Sequence, residues 1–187
     1  LDARTGRQRL VQDFIGGTGS PAIAGGKAVS ASSNLVGAVN IAEQEVPFLR
    51  GIHAIWFQLW IWNMAPPPPL PKGFLWGYGL RKEHFAGDLA VAGGVVYAAT
   101  YEGGLLAIDL ETGKRLWDFQ AGPRFGTSPS LADGAVYVGG GGGQLYRLDA
   151  ATGTVRWQLA LEGHPVGAPV VAGETIYVAT REGILYA

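Results

Sequence analysis

The 187-residue sequence contains no cysteine, which excludes disulfide bonds, thiolate metal ligands and a thiol nucleophile. Charged residues make up only 16% of the chain and the formal net charge is −1, so the basic cluster of a nucleic-acid-binding protein is missing. The apolar run from Ala54 to Trp62 is nine residues long, too short to span a bilayer as a helix. The sequence starts at Leu1 without a recognisable signal peptide, so we expect a processed, trimmed or partial chain.

Catalytic patterns are also scarce. The run "VGGGGGQ" (138–144) precedes a predicted strand rather than a helix and lacks Gly-Lys-Ser/Thr, which predicts a hairpin turn instead of a phosphate-binding loop. The three histidines, His53, His84 and His164, lie in unrelated sequence contexts without metal-ligand spacing. No Ser-His-Asp arrangement is recognisable, and we therefore predict no catalytic residue and no metal site.

Glycine, by contrast, is abundant at 30 residues, about twice the usual share, which indicates many tight turns. A repeat of 40 residues accounts for these turns. "LLAIDLETGKRLWDF" (105–119) matches "QLYRLDAATGTVRWQL" (144–159), and a third copy begins with "FAGDLAVAGGVVYAAT" (85–100). Each unit contains four short apolar runs separated by turns, which predicts a four-stranded antiparallel sheet. Four strands in about 40 residues are typical of a β-propeller blade, so we predict an all-β propeller.

Each unit carries an Asp-x-x-Thr-Gly turn followed by a tryptophan. The Asp carboxylate can accept backbone N–H bonds inside the turn, and Gly supplies a left-handed backbone position. The Trp is spaced to pack between neighbouring sheets. Because these residues recur with the repeat, we interpret them as structural anchors rather than catalytic groups. The predicted anchors are Asp2, Gly6, Trp76, Asp109, Gly113, Trp117, Asp149, Gly153 and Trp157.

The two ends of the sequence are in phase with the repeat. Joining the tail to the head gives "GILYA-LDARTGRQRL", in which Asp149 and Asp2 are one period of 40 apart. We therefore expect both termini to complete one blade, giving about four repeats in one domain spanning 1–187. A four-bladed ring, two chains pairing into an eight-bladed ring, and a partial propeller all remain open. We favour a symmetric homodimer, because an open half-ring would expose two sheet faces.

One repeat is interrupted by an insertion. In the copy at 20–87, Asn40 stands in the Asp position, and Trp76 follows it by 36 residues instead of eight. This predicts a 28-residue insertion, roughly 44–71, in the turn between the two outer strands. The insertion contains the aromatic run and four consecutive prolines of "IHAIWFQLWIWNMAPPPPLP" (52–71).

Three interpretations of the insertion compete. It folds back as extra core, it contacts a partner or second subunit, or it lies on a membrane surface with Arg50 and Lys72 at its flanks. Clustered Trp and Phe favour a protein contact, since aromatic residues dominate interface hot spots. The predicted contact residues are Trp56, Phe57, Trp60 and Trp62.

The unit "ALD-x-x-TG-x-x-x-W" resembles the pyrroloquinoline-quinone-like (PQQ-like) propeller repeat over about 160 residues, everything except the insertion. Leu10 replaces the Trp in one copy and Asn40 replaces the Asp in another. Similar repeats build quinoprotein dehydrogenases and the noncatalytic propeller lipoprotein of the outer-membrane β-barrel assembly machinery. The resemblance implies fold more strongly than function, because one blade repeat serves many activities.

The quinoprotein enzymes bind the quinone and Ca²⁺ with a catalytic Asp and often a vicinal cysteine pair, and none of these residues can be matched here. We therefore expect a noncatalytic scaffold without a cofactor, which binds another protein or a second copy of itself in the periplasm or outside the cell. A quinone- and Ca²⁺-dependent dehydrogenase, or an inactive remnant of one, is the alternative.

Overall fold

The computed structural model describes residues 20–43, 55–56, 58–67, 70, 72–122, 124–125 and 127–187. These residues form fifteen strands in four antiparallel sheets, each assembled from strands that follow one another in the chain. Blade 1 comprises β1 (Ala22–Ala24), β2 (Lys27–Ala31), β3 (Leu35–Asn40) and β4 (Phe74–Gly79). Blade 2 comprises β5 (Ala90–Ala92), β6 (Val95–Ala99), β7 (Gly104–Asp109) and β8 (Arg115–Gln120). Blade 3 comprises β9 (Ser130–Ala132), β10 (Ala135–Gly139), β11 (Gln144–Asp149) and β12 (Val155–Ala160). Blade 4 comprises β13 (Pro165–Ala172), β14 (Thr175–Thr180) and β15 (Leu185–Tyr186).

Local turn chemistry explains the hairpins. Gly93 and Gly94 join β5 to β6 with φ angles of 59° and 78°, which favours glycine at both positions of a tight turn. In blade 2 the two middle strands, β6 and β7, are almost entirely buried, whereas β8 alternates between exposed and half-buried residues. The last strand of the blade therefore forms its outer edge.

Two hydrophobic clusters join the blades. One lies between blades 1 and 2 and includes Val29, Val36, Val96 and Ile108. The other lies between blades 2 and 3 and is formed by Tyr97, Ala99, Leu105, Ala107, Phe125, Val136, Val138, Tyr146 and Leu148. Because blade 2 buries both faces of its sheet against blades 1 and 3, its middle strands β6 and β7 are continuous apolar runs. Fully burying one such aliphatic side chain contributes about 1.5–3 kcal/mol.

The inner strands of successive blades adjoin, β1 with β5, β5 with β9 and β9 with β13. This arrangement confirms the predicted all-β propeller of four-stranded antiparallel blades, with three described strands in blade 4. The predicted completion of that blade by both termini depends on residues 1–19, among them Asp2, Gly6 and Leu10, which lie outside the described residues.

The tryptophans of blades 1 and 2 fasten each blade to the next. The Trp76 indole N–H donates to the Leu110 carbonyl at 2.8 Å, and Trp117 donates to the Ala150 carbonyl at 3.0 Å. Each ring lies against the glycine of the following Asp-x-x-Thr-Gly turn, so a Cβ on Gly113 or Gly153 would meet ring atoms at 2.6 or 2.5 Å. Glycine is therefore favoured at this turn position for two physical reasons. The backbone there is left-handed, and an aromatic ring lies where a Cβ would be.

Candidate interaction surface

The insertion lies between β3 and β4, where blades 2 and 3 have the Asp-x-x-Thr-Gly turn. The Asn40 N–H donates to the Gly73 carbonyl at 2.8 Å, as the Asp109 N–H donates to Lys114 and the Asp149 N–H to Thr154. Asn40 and Gly73 are 33 positions apart, whereas Asp109 and Lys114 are five apart. The 28 additional residues are therefore inserted into the β3–β4 turn, and the backbone hydrogen bond that closes this turn is the same as in blades 2 and 3.

The described part of the insertion contains helical residues at 55–56 and 58–61. The Trp62 N–H donates to the Gln58 carbonyl at 3.2 Å, and the Met64 N–H donates to the Leu59 carbonyl at 2.8 Å. The Trp56 indole N–H donates to the Pro66 carbonyl at 2.8 Å. This bond ties the helical residues to Pro66, the first residue of the proline run.

Large apolar side chains of the insertion face water. Trp60 is 42% exposed and Trp62 is 62% exposed, and their aliphatic neighbours Ile55, Ile61 and Met64 are also exposed. Of the four predicted contact residues, Trp56 is half-buried and Phe57 lies outside the described residues, as does Arg50. The exposed aliphatic residues lie outside the predicted contact set, because interface hot spots are enriched in aromatic side chains.

The Asp turns are held by their own carboxylates. Asp109 Oδ1 accepts from the Thr112 N–H and the Thr112 hydroxyl, both at 2.7 Å. Asp149 makes the same two bonds to Thr152 at 3.0 Å and receives an Arg156 guanidinium at 2.7 Å. The Arg156 and Thr152 bonds lower the pKa of Asp149 from 3.8 to about 2. These bonds give the two carboxylates a structural role in the turns, and no substrate is needed to explain why they recur.

This lowered pKa predicts an acid-dependent contribution to stability. Because the folded-state pKa of Asp149 lies below its unfolded value, its charge stabilises the fold above about pH 4, and the contribution disappears as pH falls towards 2. Asp149→Asn keeps a turn acceptor, as Asn40 does for the Ala42 N–H at 3.0 Å, but loses the charge. We expect the gap in melting temperature between wild type and Asp149→Asn to narrow from pH 5 to pH 2. A gap that is constant over this range in calorimetry would contradict the assignment.

Two histidine–glutamate pairs occupy equivalent positions in blades 2 and 4. The His84 N–H donates to Glu102 at 2.9 Å, and its Nδ1 lies 3.2 Å from the same carboxylate. His164 repeats both contacts with Glu182 at 2.7 Å. The prediction that these histidines lie in unrelated contexts was therefore wrong, since they are two repeats apart. Their shared spacing of 18 residues to a Glu was the signal that could have revealed them.

The Ca²⁺ ion that the resemblance to quinoproteins implies finds no cluster of carboxylates among the described side chains. Each His–Glu pair supplies one carboxylate, and its histidine already occupies that carboxylate. Within the described ranges, no three His, Asp or Glu side chains lie close enough together to hold a metal ion. No helix in those ranges has the length and apolar character needed to cross a bilayer.

A family model described as outer membrane protein assembly factor BamB matches residues 70–128 and 107–187, together more than half of the sequence. The chain belongs to this family. The match confirms the resemblance to PQQ-like propellers that the repeat anchors suggested. No curated protein matches the BamB-like chain.

Solved structures similar to the BamB-like chain are propellers of different kinds. BamB from Moraxella catarrhalis is 20% identical, with a TM-score of 0.64 over 90% of this chain and 45% of that one. The computationally designed Ika4 protein is 12% identical, with a TM-score of 0.69 over 96% of both chains. A europium-containing methanol dehydrogenase is 20% identical, with a TM-score of 0.57 over 84% of this chain and 27% of that one. At these identities the likeness concerns the fold alone, and the chain spans slightly under half of the Moraxella catarrhalis protein.

Proposed function

We propose that this chain is a noncatalytic propeller scaffold of the bacterial cell envelope, which binds another protein through its aromatic insertion. The observation that carries the proposal is the exposure of Trp60 and Trp62 on a segment tied down by the Trp56–Pro66 hydrogen bond. Membership of a family described as an outer membrane protein assembly factor supports the compartment and the kind of partner. We therefore propose a periplasmic location and a partner among envelope proteins.

The physical argument rests on the cost of exposed apolar surface. Moving one large apolar side chain from water into an interface contributes about 1.5–3 kcal/mol. Trp60, Ile61 and Trp62 are all exposed, so a partner that covers even part of this segment removes a large apolar area from water. Aromatic side chains of this kind dominate interface hot spots. The tie between Trp56 and Pro66 reduces the ordering cost on binding, because the segment is partly organised beforehand.

Self-association is the second part of the proposal. Apolar side chains are exposed at both ends of the row of blades, Ile23 in blade 1 and Val170 and Leu185 in blade 4. A second copy of the chain would cover both ends with one symmetric arrangement. We propose a homodimer in which the two rows of blades form one ring.

The partner interface is tested by the double substitution Trp60→Ser and Trp62→Ser. Detergent-solubilised envelope proteins are passed over the immobilised chain, and the captured protein is purified and titrated against wild type and variant. We expect the variant to bind at least tenfold more weakly, because two interface tryptophans are lost. The matched control is Leu116→Ser with Leu159→Ser, which removes two exposed apolar side chains from outer strands of blades 2 and 3.

Two results would contradict this proposal. Equal affinity of both double variants would show that the insertion is not the contact surface. Binding of wild type, but not the Trp variant, to phospholipid vesicles without any captured protein would assign the insertion to a membrane surface instead. We further propose that no cofactor is bound, and a stoichiometric complex with pyrroloquinoline quinone and Ca²⁺ would overturn this.

A further inference from the structure

The groove between blades 2 and 3 is filled by an aromatic ring. Tyr146 of β11 packs edge-on against Phe119 of β8, with ring centroids 5.5 Å apart, and its hydroxyl donates to the Ala121 carbonyl at 3.3 Å. Tyr186 of β15 takes the same position between blades 3 and 4, where its hydroxyl accepts from the Glu162 N–H at 2.8 Å. In both grooves, a tyrosine of the third strand therefore reaches the segment that follows the outer strand of the preceding blade.

The groove between blades 1 and 2 has no such ring. Leu106 of β7 stands where Tyr146 stands one repeat later, and Tyr78 of β4 stands where Phe119 stands on β8. A leucine cannot bond the carbonyl that follows β4, because its side chain has no donor. A cavity of about 320 Å³ lies between the two blades here, and Tyr78, Leu80 and Leu106 form its apolar part. This volume lies within the range of small-molecule pockets.

The connection between the blades brings charge to this cavity. The segment "RKEH" (81–84) joins blade 1 to blade 2, whereas the shorter "GPR" (122–124) joins blade 2 to blade 3. The longer segment contributes Arg81, Lys82 and Glu83 to the wall of the cavity. Glu83 Oε2 lies 3.6 Å from the position that a Cβ on Gly104 would take, which places this carboxylate against the start of β7. The cavity therefore combines an apolar floor with a charged wall.

The charges around the cavity leave an excess of one positive charge. Arg115 and Asp118 of β8 also line it, and they pair with each other at 3.3 Å. Among the residues that the structure describes, Arg81, Lys82 and Glu83 form no ion pair. Two cations thus face one carboxylate that is not paired, which favours an anionic ligand. An excess of one charge matches a carboxylate better than a phosphate group, which carries about two negative charges.

We propose that this cavity binds a small aromatic monocarboxylate. The ligand ring packs on Leu106 and Tyr78, in the place that the Tyr146 ring takes in the next groove. The ligand carboxylate accepts hydrogen bonds from Arg81 and Lys82, and the planar guanidinium can bond both of its oxygens at once. The proposal does not depend on the aromatic insertion, because the insertion precedes the start of β4 and the cavity adjoins its end.

Isothermal titration calorimetry of the full chain with 3-phenylpropionate tests the site. We expect saturable binding of one ligand per chain with a Kd of about 1 mM or lower, in keeping with the small size of this ligand. The neutral 3-phenylpropionamide has the same ring and length, but it should bind at least tenfold more weakly, because it makes no charge-assisted hydrogen bond. Equal affinities for the acid and the amide would overturn the anionic assignment, and no saturable binding of the acid would overturn the proposal as a whole.

Leu106→Tyr tests the position of the ligand ring. The substitution introduces the residue that blade 3 carries at the equivalent position, and the new hydroxyl is placed to bond the Leu80 carbonyl as Tyr146 bonds that of Ala121. The variant should therefore fold, which its circular dichroism and melting temperature check. We expect it to lose at least tenfold in affinity for 3-phenylpropionate, because the new ring fills the cavity. Wild-type affinity in the folded variant would place the ligand elsewhere and contradict the proposal.

Arg81→Gln with Lys82→Gln tests the charged wall while keeping polar side chains at both exposed positions. This double variant should bind 3-phenylpropionate at least tenfold more weakly, with little change in melting temperature. The matched control is Lys114→Gln with Arg181→Gln, which removes the same two residue types from exposed positions outside the cavity and should bind like wild type. Equal affinities of the two double variants would show that the cavity cations do not hold the carboxylate, and the proposal would fail.

Discussion

Gly153→Ala is expected to lower the free energy of unfolding by about 3 kcal/mol. Gly153 has a φ of 72°, where an L-residue costs about 1–2 kcal/mol, and its new Cβ would lie 2.5 Å from the Trp117 ring. Relieving such a contact by moving a packed side chain costs a further 1–3 kcal/mol or so. In a chain of this size the melting temperature should fall by about 6–12 °C, measurable by calorimetry.

Gly134→Ala is the matched control in the same blade. Gly134 has a φ of 68°, but a Cβ there would meet no atom within 4 Å. It should therefore show the backbone strain alone, and its destabilisation should be no more than about half that of Gly153→Ala. Equal effects of the two substitutions would mean that the packing of Trp117 on the turn adds nothing to stability.

Most of the fold could be predicted from the sequence because its determinants are local. The Gly93–Gly94 hairpin and the Asp-x-x-Thr-Gly turns are specified by residues within five positions of each other, and they recur three times. Repetition also sets the register, since a slip in one blade would break the alternation that the others share. The length of the insertion followed from the same repeat, because Asn40 and Trp76 remained recognisable on either side.

The candidate site was less predictable for two physical reasons. The run at 54–62 is apolar on both faces, whether it is drawn as a helix or as a strand. Hydrophobic periodicity therefore could not show that residues 55–61 include helical ones. The Trp56–Pro66 bond and the His84–Glu102 contact each join residues that only a folded turn brings together. Exposure of Trp60 and Trp62 is likewise a property of the assembled blade, which sequence patterns do not determine.

Phe125→Ala should have the largest effect of any single substitution considered, about 3–5 kcal/mol. Phe125 is 1% exposed and packs edge-on against Tyr146, with ring centroids 6.3 Å apart, in the cluster between blades 2 and 3. A loss of this size is a substantial part of the roughly 5–15 kcal/mol that stabilises a typical domain. Denaturant unfolding should show a clearly lower midpoint with an unchanged slope.

Phe119→Ala is the control, because Phe119 contacts the same Tyr146 ring at 5.5 Å but is half-buried on an outer strand. It should cost distinctly less than Phe125→Ala. Phe85, the equivalent of Phe125 one repeat earlier, belongs to the other cluster, between blades 1 and 2. Because the two phenylalanines belong to different hydrophobic clusters, the effects of Phe85→Ala and Phe125→Ala should add if the blades unfold together. Two separate unfolding transitions in the double variant would instead show that the blades are independently stable units joined in a row.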